Sequence, residues 1–331
     1  MNLKNRIMVY RRIYEKDNNR ANSTFIDGRK NILVETNSKD NLIKCARSDK
    51  NAYKTYKDLL KRDYILTGHN GTESFLCKRE FIIELWQRKD LKNYESLFYT
   101  IENPIDRKLN EQNTKKQLLV LFTCMPNLEK YDNSLMTDRM FHPFFSKTSV
   151  NLIKNTYIMR IMDLNCSHGS HYIDTINNSE MENQIKHSIE EVRNQLLLDK
   201  KDVVLYGASK GGTGALYHGL KLGYSFLAVD PIISISEYNK TDAHFLKDLR
   251  VEDLTDILNY YIDKKSSCEK YIIASENVTF NYSKVKGLKN EELTILNMKD
   301  NHIKTHPDVS LNSIPEQLAI LNKLLRGGGD Y

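Results

Sequence analysis

Residues 201–230 read KDVVLYGASKGGTGALYHGLKLGYSFLAVD, and this stretch decides the fold. An apolar run at 203–206 is followed by a turn of small residues at 207–212 and then by a helix-like segment. A second apolar run, at 225–229, ends the stretch. The order strand, turn, helix, strand is the repeating unit of a parallel sheet covered by helices.

The turn has the spacing G-x-S-x-G, with Gly207, Ser209 and Gly211 at the three fixed positions. In one large class of enzymes this turn presents a nucleophilic serine between a strand and a helix. The backbone is crowded there, so the residues two before and two after the serine must be small. The helix that follows directs its N–H groups and its positive dipole end at the place where an oxyanion would form. The alternative is a glycine-rich turn that binds a phosphate or nothing; the context of strand, helix and second strand favours a nucleophilic Ser209.

Length and composition predict a globular protein with one large domain, or with one domain and a smaller appendage. The chain has 331 residues, of which 40% are hydrophobic and 28% are charged, and its formal net charge is +6. A positive charge suits an anionic polysaccharide, a nucleotide-linked donor or a membrane surface. No nucleic-acid motif accompanies the charge, so no nucleic-acid partner is expected.

The cysteines and the apolar runs predict the cellular setting. Five scattered cysteines without a C-x-x-C pair indicate neither a disulfide framework nor a zinc site. No run approaches the roughly 18 apolar residues of a membrane span, and the basic start lacks the apolar core of a signal peptide. We expect a cytoplasmic protein without a transmembrane segment, with peripheral attachment to the inner face of the membrane as a further option.

The chain divides by composition near residue 92. Residues 1–92 are polar and rich in Lys and Arg, and they predict a small N-terminal α/β cap or subdomain. It would hold helices at 51–62 and 78–87 and a short strand at 63–66. Residues 93–331 predict the catalytic domain, an α/β-hydrolase-like, mostly parallel sheet with helices on both faces. Its strands are predicted at 96–101, 117–122, 156–162, 203–206, 225–229, 270–274 and 292–298, and its further helices at 181–198, 251–264 and 314–326.

A serine nucleophile needs a histidine base and an acid that orients the histidine. Asp230 ends the strand that follows the nucleophile helix, at the edge where sheets of this type carry their sites. Glu276, just after strand 270–274, stands at the more usual position for the acid and is the alternative. Asp230 is the preferred candidate, because no aspartate occupies that usual position.

The histidine is expected between the last strand and the last helix. His302 and His306 both lie there, and His306 is preferred because its distance to the closing helix is better and Pro307 would stiffen its loop. His302 is the alternative. His218, in the helix after Ser209, is predicted to be a packed or surface residue and not the base.

The oxyanion hole needs two backbone N–H donors. One is predicted at Lys210, directly after the nucleophile. The other is predicted in the loop after strand 117–122, where Cys124 and Met125 are the candidates.

A histidine-rich loop follows the strand at 156–162. Cys166, His168 and His171 have ligand chemistry, but no fourth metal ligand is evident, so we predict a substrate-lining loop and no metal. Asp242 and His244 are candidates for a lid.

With these residues identified, the chain resembles the XcbB/CpsF type of bacterial capsular polysaccharide biosynthesis protein. The resemblance rests on YGASKGGTGALYHGL at 206–220, VDPI at 229–232, IMRIMDLN at 158–165 and HPDV at 306–309. It covers the last two thirds of the chain. It implies an α/β-hydrolase-like fold, more distantly similar to serine-dependent acetyltransferases acting on glycans, and a role in making or modifying a capsule.

Three hypotheses on function follow. In the first, Ser209 takes an acyl group from a donor, with acetyl-CoA as the expected co-substrate, and passes it to a hydroxyl of a capsular polysaccharide or its precursor. In the second, water is the acceptor and the protein is a carbohydrate or thioester esterase. In the third, the protein is a non-catalytic scaffold among other capsule assembly proteins. No residue is assigned to a cofactor, and none is expected to be bound.

Overall fold

The structure is a computed structural model that describes residues 11–14, 29–85, 88–104, 115–141, 144–145, 148–264, 266–289 and 291–327. The described strands, in chain order, are β1 (Arg11–Tyr14), β2 (Asn31–Glu35), β3 (Tyr64–Asn70), β4 (Glu73–Lys78), β5 (Leu91–Tyr94), β6 (Leu97–Glu102), β7 (Gln117–Phe122), β8 (Thr156–Ile161), β9 (Val203–Ala208), β10 (Ser225–Val229), β11 (Lys270–Ala274) and β12 (Thr294–Asn297). The described α-helices are α1 (Leu42–Ser48), α2 (Lys50–Lys61), α3 (Ile82–Leu85), α4 (Leu128–Tyr131), α5 (Met136–Met140), α6 (Met181–Gln195), α7 (Lys210–Leu222), α8 (Ser236–Asn239), α9 (Thr255–Ile262), α10 (Thr279–Lys286), α11 (His306–Asn312) and α12 (Ile314–Leu325).

The larger sheet has the strand order β12-β11-β10-β9-β7-β8-β6-β5 within the described ranges. Neighbouring strands run parallel, except that β6 is antiparallel to both β5 and β8. The protein therefore has the predicted α/β-hydrolase-like, mostly parallel sheet. Strands β9 and β10 are parallel neighbours, so their C-terminal ends lie at the same edge of the sheet.

Helices cover both faces of this sheet, and β7 shows why. All six residues of this strand, QLLVLF, are buried. Leu118 and Val120 pack into a core shared with α6, α7 and α9, whereas Leu119 and Leu121 pack with α12 on the other face. Because successive side chains point to opposite faces, a strand with helices on both sides is apolar along its whole length.

The N-terminal part forms a second, four-stranded sheet in the order β1-β2-β4-β3. Strands β1 and β2 are parallel and the other pairs are antiparallel. Helices α1 and α2 pack on this sheet through residues such as Leu42 and Leu60. The same core includes Ile232 and Phe245, so the N-terminal sheet and its helices pack against the segment that follows β10.

A buried ion pair fixes α2 to that segment. The Lys57 Nζ lies 2.9 Å from Asp242 Oδ2, and both side chains are almost completely buried. The ammonium group also donates to the carbonyls of Phe245 and Lys247, at 2.9 and 2.6 Å. Asp242 accepts a further bond from the hydroxyl of Tyr53, at 2.6 Å. Such saturation with partners is what a buried charge pair requires.

The fold class is confirmed, with a second α/β arrangement in the N-terminal part, and the seven predicted strands of the large sheet correspond to β6–β12. The helix predicted over 78–87 is wrong in its first half, because β4 continues to Lys78 and a 3₁₀ turn, Arg79–Phe81, precedes the short α3; residues 86 and 87 lie outside the described ranges. The described elements that were not predicted are strands β1, β2, β4 and β5 and helices α1, α4, α5, α8, α10 and α11. The proposed boundary at residue 92 falls within β5, which pairs with the large sheet, and the division into two domains stays a prediction.

No α-helix among the described ranges is both long enough and apolar enough to span a bilayer.

Replacing Lys57 with Ala should lower the free energy of unfolding by about 3 kcal/mol, because Asp242 would stay buried without its cation. Urea unfolding measures the change. Lys54→Ala, on the exposed side of the same helix, is the matched control and should change stability by less than about 0.5 kcal/mol. Equal losses from both substitutions would contradict the structural role of the ion pair.

Candidate active site

The turn between β9 and α7 is as crowded as the sequence predicts. A Cβ on Gly207 would lie 2.2 Å from the carbonyl oxygen of Gly211, and a Cβ on Gly211 would lie 2.1 Å from that of Phe122. Ser209, between them, has φ 56° and ψ −122°, a conformation that L-residues rarely adopt. Its N–H donates to the carbonyl of Val229 at 2.9 Å. The bend therefore holds the serine at the start of α7, out of the regular strand and helix.

The structure brings Ser209, His306 and Asp230 together. The Oγ of Ser209 lies 2.7 Å from Nε2 of His306, and Nδ1 of the same ring lies 2.5 Å from Oδ2 of Asp230. In the tautomer with its proton on Nδ1, the ring donates to the carboxylate and accepts from the hydroxyl. The side chain of Asp230 is 2% exposed and that of His306 is 20% exposed. This is the geometry in which a histidine takes the proton of a serine while an acid orients the ring.

Asp230 reaches this position because β10 stops there. Its N–H donates to the carbonyl of Ile273 on β11 at 2.7 Å, and its φ of 41° then turns the chain away into Pro231. The carboxylate is thereby held at the carboxyl edge of the sheet, beside the turn that carries Ser209. Its Oδ1 accepts no hydrogen bond from any described residue.

Asn281 donates a further hydrogen bond to the acid. It lies on α10, buried, and its Nδ2 donates to Oδ2 of Asp230 at 3.2 Å. The same nitrogen lies 2.9 Å from Nδ1 of His306. No sequence pattern indicated this residue, because α10 carries almost no apolar periodicity; the only signal was a polar residue that follows the strand after the acid. Asn281 is placed to position the carboxylate, and through the carboxylate the ring.

His306 is the first residue of α11 and does not lie in a loop. Thr305 caps this helix in a capping box with Asp308, and Pro307 lies in the first turn. The carboxylate of Asp308 accepts from the N–H of Thr305 at 2.7 Å. The expectation of a stiffened loop is therefore corrected to a capped helix start, which fixes the backbone of the histidine more firmly.

The alternative residues lie elsewhere. The side chain of His302 is 85% exposed, and its Nδ1 lies 2.9 Å from Asp300. Glu276 accepts from Asn297 at 2.8 Å at the surface. His218 is buried in α7, with Nε2 2.9 Å from the carbonyl of Tyr172, as expected of a packed residue.

The oxyanion-hole candidates surround the same turn. The close approach of Gly211 to the carbonyls of Phe122 and Thr123 places the end of β7 against the start of α7. Cys124 and Met125 follow directly and are half-buried. Burial raises the pKa of Cys124 to about 11, so its thiol stays protonated at neutral pH. A role of its backbone N–H, of that of Met125 or of that of Lys210 in an oxyanion hole stays a prediction.

The side chain of Lys210 is completely buried beneath the turn. Its Nζ donates to the carbonyl of His168 at 3.0 Å and lies 3.6 Å from Asp163 Oδ2. Burial lowers the pKa of Lys210 and raises that of Asp163. The residue that follows the nucleophile is thus anchored in the protein interior, which fixes the orientation of its backbone N–H.

Asp163 organises the histidine-rich loop. Its carboxylate accepts from the N–H groups of Ser170 and His171, at 3.0 and 2.9 Å, and from that of Tyr172 at 3.3 Å. Gly169 has φ 88°, and a Cβ there would lie 2.3 Å from the same carboxylate. The loop is therefore a tightly wound, buried structure.

No group of three or more metal-ligating side chains lies together in the described part of the chain. The Sγ of Cys166 contacts the side-chain oxygens of Asn165 and Asn177, at 3.5 Å each. Nε2 of His168 lies 2.8 Å from the carbonyl of Tyr131.

Searches against protein-family models and against curated proteins find no match. Solved structures match at low identity. The capsule O-acetyltransferase of Neisseria meningitidis serogroup A is 14% identical over 70% of this chain and 94% of its own, with a TM-score of 0.47. A ferulic acid esterase is 13% identical over 71% of this chain and 97% of its own, with a TM-score of 0.46. The fluorophosphonate-binding serine hydrolase F of Staphylococcus aureus is 16% identical over 70% of this chain and 97% of its own, with a TM-score of 0.44.

Replacing Asn281 with Ala should slow the reaction of Ser209 with a fluorophosphonate roughly tenfold to a hundredfold. The substitution removes a hydrogen bond to a charged group, worth about 1.5–3 kcal/mol, that positions the acid and the ring. Labelling rates followed by intact-protein mass measure the effect. Ser283→Ala, on the exposed side of the same helix, is the control. A labelling rate for Asn281→Ala equal to that of the wild type would refute the positioning role.

Proposed function

We propose that the protein is a serine-nucleophile acyltransferase that acetylates a hydroxyl group of a capsular polysaccharide or its precursor. The observation that carries the proposal is the continuous hydrogen-bonded contact from Ser209 through His306 to Asp230. A buried acid, an oriented imidazole and a strained serine at a helix start are the parts that acyl transfer through an acyl-enzyme requires.

The first half of the reaction forms the acyl-enzyme. The Oγ of Ser209 attacks the carbonyl carbon of the acyl donor while Nε2 of His306 takes the hydroxyl proton. The oxyanion of the tetrahedral intermediate would lie at the start of α7, near the N–H of Lys210. Collapse of the intermediate expels the thiol of the donor, which takes the proton back from the imidazole. Asp230 stabilises the imidazolium through both steps.

The second half transfers the acyl group. A sugar hydroxyl gives its proton to His306 and attacks the acyl carbon, and the Oγ of Ser209 leaves and takes the proton back. Acetyl-CoA is the proposed co-substrate, and no residue is assigned to its binding. The capsular acceptor is proposed from the sequence resemblance carried by residues 206–220.

An esterase that uses water as acceptor would need the same contacts and is the second candidate. A non-catalytic scaffold is the weaker proposal. It drew its support from the absence of an aspartate after strand β11, and Asp230 after β10 makes the contact that such an aspartate would make.

Incubation of the protein with acetyl-CoA and capsule oligosaccharide should yield acetylated oligosaccharide, followed by mass spectrometry. Ser209→Ala should lower the rate by a factor on the order of 10⁴ or more, because the covalent route is lost. Ser267→Ala, on the surface, is the matched control and should leave the rate unchanged.

Free acetate measured in the same reactions distinguishes the two enzyme hypotheses. A transferase should release less acetate when the oligosaccharide is added, whereas an esterase should release acetate without forming an acetylated glycan. Equal product from wild type and Ser209→Ala would contradict the assignment of Ser209 as the nucleophile.

A further inference from the structure

A buried arginine near the site makes no direct ion pair with any described carboxylate. Arg250 is 5% exposed, and none of the described carboxylates lies within ion-pair distance of it. Burial lowers its pKa to about 10, so the guanidinium is still charged at neutral pH. Burying an unpaired charge costs several kcal/mol, and native proteins almost always pair such a group.

Two donors on one edge of the Arg250 guanidinium have no hydrogen-bond partner among the described residues. Its Nη1 lies 2.7 Å from Nδ1 of His171, whereas Nε and Nη2 donate to no described residue. The N–H of Nε and one N–H of Nη2 lie side by side in the plane of the guanidinium. This two-donor edge is the one that binds a carboxylate or a phosphate bidentately.

His171 adds a donor to the same cluster. Because its Nδ1 accepts from Arg250, the neutral ring carries its proton on Nε2, and this atom is buried without a partner among the described residues. Burial, and then the positive charge of Arg250, hold the pKa of His171 well below its usual range. The ring is therefore neutral and adds no second charge beside Arg250.

The cluster adjoins the proposed catalytic residues. The ring of His244 lies 5.6 Å from that of His171, centroid to centroid, and stacks on Tyr238 at 4.5 Å. The backbone N–H of His171 donates to Asp163 at 2.9 Å, and that carboxylate lies 3.6 Å from Nζ of Lys210, the residue that follows Ser209. These contacts connect Arg250 and His171 to the turn that carries Ser209.

The nearby acids are already engaged. Asp163 accepts three backbone N–H groups and faces Lys210. Asp253 lies 2.6 Å from Lys284 and accepts from Thr255, and Glu182 lies 2.5 Å from Lys221. None of the three can move to the guanidinium without leaving its own partners unpaired. A counter-charge for Arg250 is therefore expected from a ligand.

We infer that the Nε and Nη2 donors of Arg250, whose Nη1 is held by His171, form an oxyanion-binding subsite near Ser209 for a phosphate or carboxylate group of a substrate. This inference rests on the proposed function in one respect only, namely that the bound molecule is a substrate of the Ser209 site. One acidic group on the ligand would accept two hydrogen bonds from Arg250. The substrate class is thereby narrowed to molecules with an acidic group, on the acceptor glycan or on the acyl donor.

The test measures binding in a Ser209→Ala background, so that its result does not depend on turnover. Inorganic phosphate should raise the unfolding temperature more than sodium chloride of equal ionic strength, because a ligand that binds the folded state stabilises it. Arg250→Gln should abolish this phosphate-specific rise, and Arg250→Lys, which keeps the charge but not the two-donor edge, should reduce it. Arg88→Gln, at the surface, is the matched control and should keep the full rise.

A phosphate response that is absent in the parent, or equal in the parent and in Arg250→Gln, would overturn the subsite. Without phosphate, Arg250→Gln should unfold at the same temperature as the parent or higher, because it removes an unpaired buried charge. If that variant fails to fold, the response of Arg250→Lys decides.

Paired ligands identify the substrate that supplies the acidic group. Glucose 6-phosphate against glucose reports on the acceptor, and coenzyme A against pantetheine reports on the donor. Isothermal titration should show that the charged member of one pair binds at least tenfold more tightly, and that Arg250→Gln removes this preference. Equal affinity within both pairs would contradict the inference, whatever the catalytic test of Ser209 shows.

Discussion

The close approach of the Gly207 and Gly211 backbones is the constraint on which the rest of the site depends. A Cβ atom fits at neither position. Glycine at both positions therefore allows the chain to turn from β9 into α7 at Ser209. The turn forces Ser209 into a left-handed conformation that the flanking strand and helix must hold in place. Because β9 and α7 are almost entirely buried, their packing offsets the free-energy cost of this backbone strain.

From this turn the sheet order determines where the partners lie. Strand β10 is the neighbour of β9, so Asp230 at its end stands next to Ser209, and β11 supplies the carbonyl that fixes the turn of the acid. The histidine comes from beyond β12, and a capped helix brings it back to the same edge. Three separate segments thus converge on one point, and Asn281 from α10 donates a further hydrogen bond to Asp230.

The side of the site that faces the N-terminal sheet is built differently, from buried charges. Lys210, Asp163 and Arg250 are all nearly or completely withdrawn from solvent. The first two contact each other and the backbone of the histidine-rich loop, whereas Arg250 has two donors without a partner among the described residues. Helix α2 contacts the same loop, since the hydroxyl of Tyr56 donates to Ser167 at 2.8 Å.

The sequence was informative where a single steric or periodic rule applies. The G-x-S-x-G spacing located Ser209, and uniformly apolar runs such as 117–122 located the buried strands. The choice between His302 and His306, and between Asp230 and Glu276, depended on tertiary distances that no local pattern encodes. Strand β5 was missed because LKNY, at an exposed sheet edge, lacks apolar alternation. The two Arg250 donors without a described partner can be recognised only when the neighbours of the arginine are known.

The proposed function requires that Ser209 carries the acyl group from the donor to the final acceptor. The most direct measurement is rapid quenching of the protein with p-nitrophenyl acetate, followed by peptide mass spectrometry. The predicted result is one acetyl group on the peptide that contains Ser209, with accumulation strongly slowed in His306→Ala. Turnover of the ester with acetyl groups only on other residues, or accumulation at the same rate in His306→Ala, would contradict the claim.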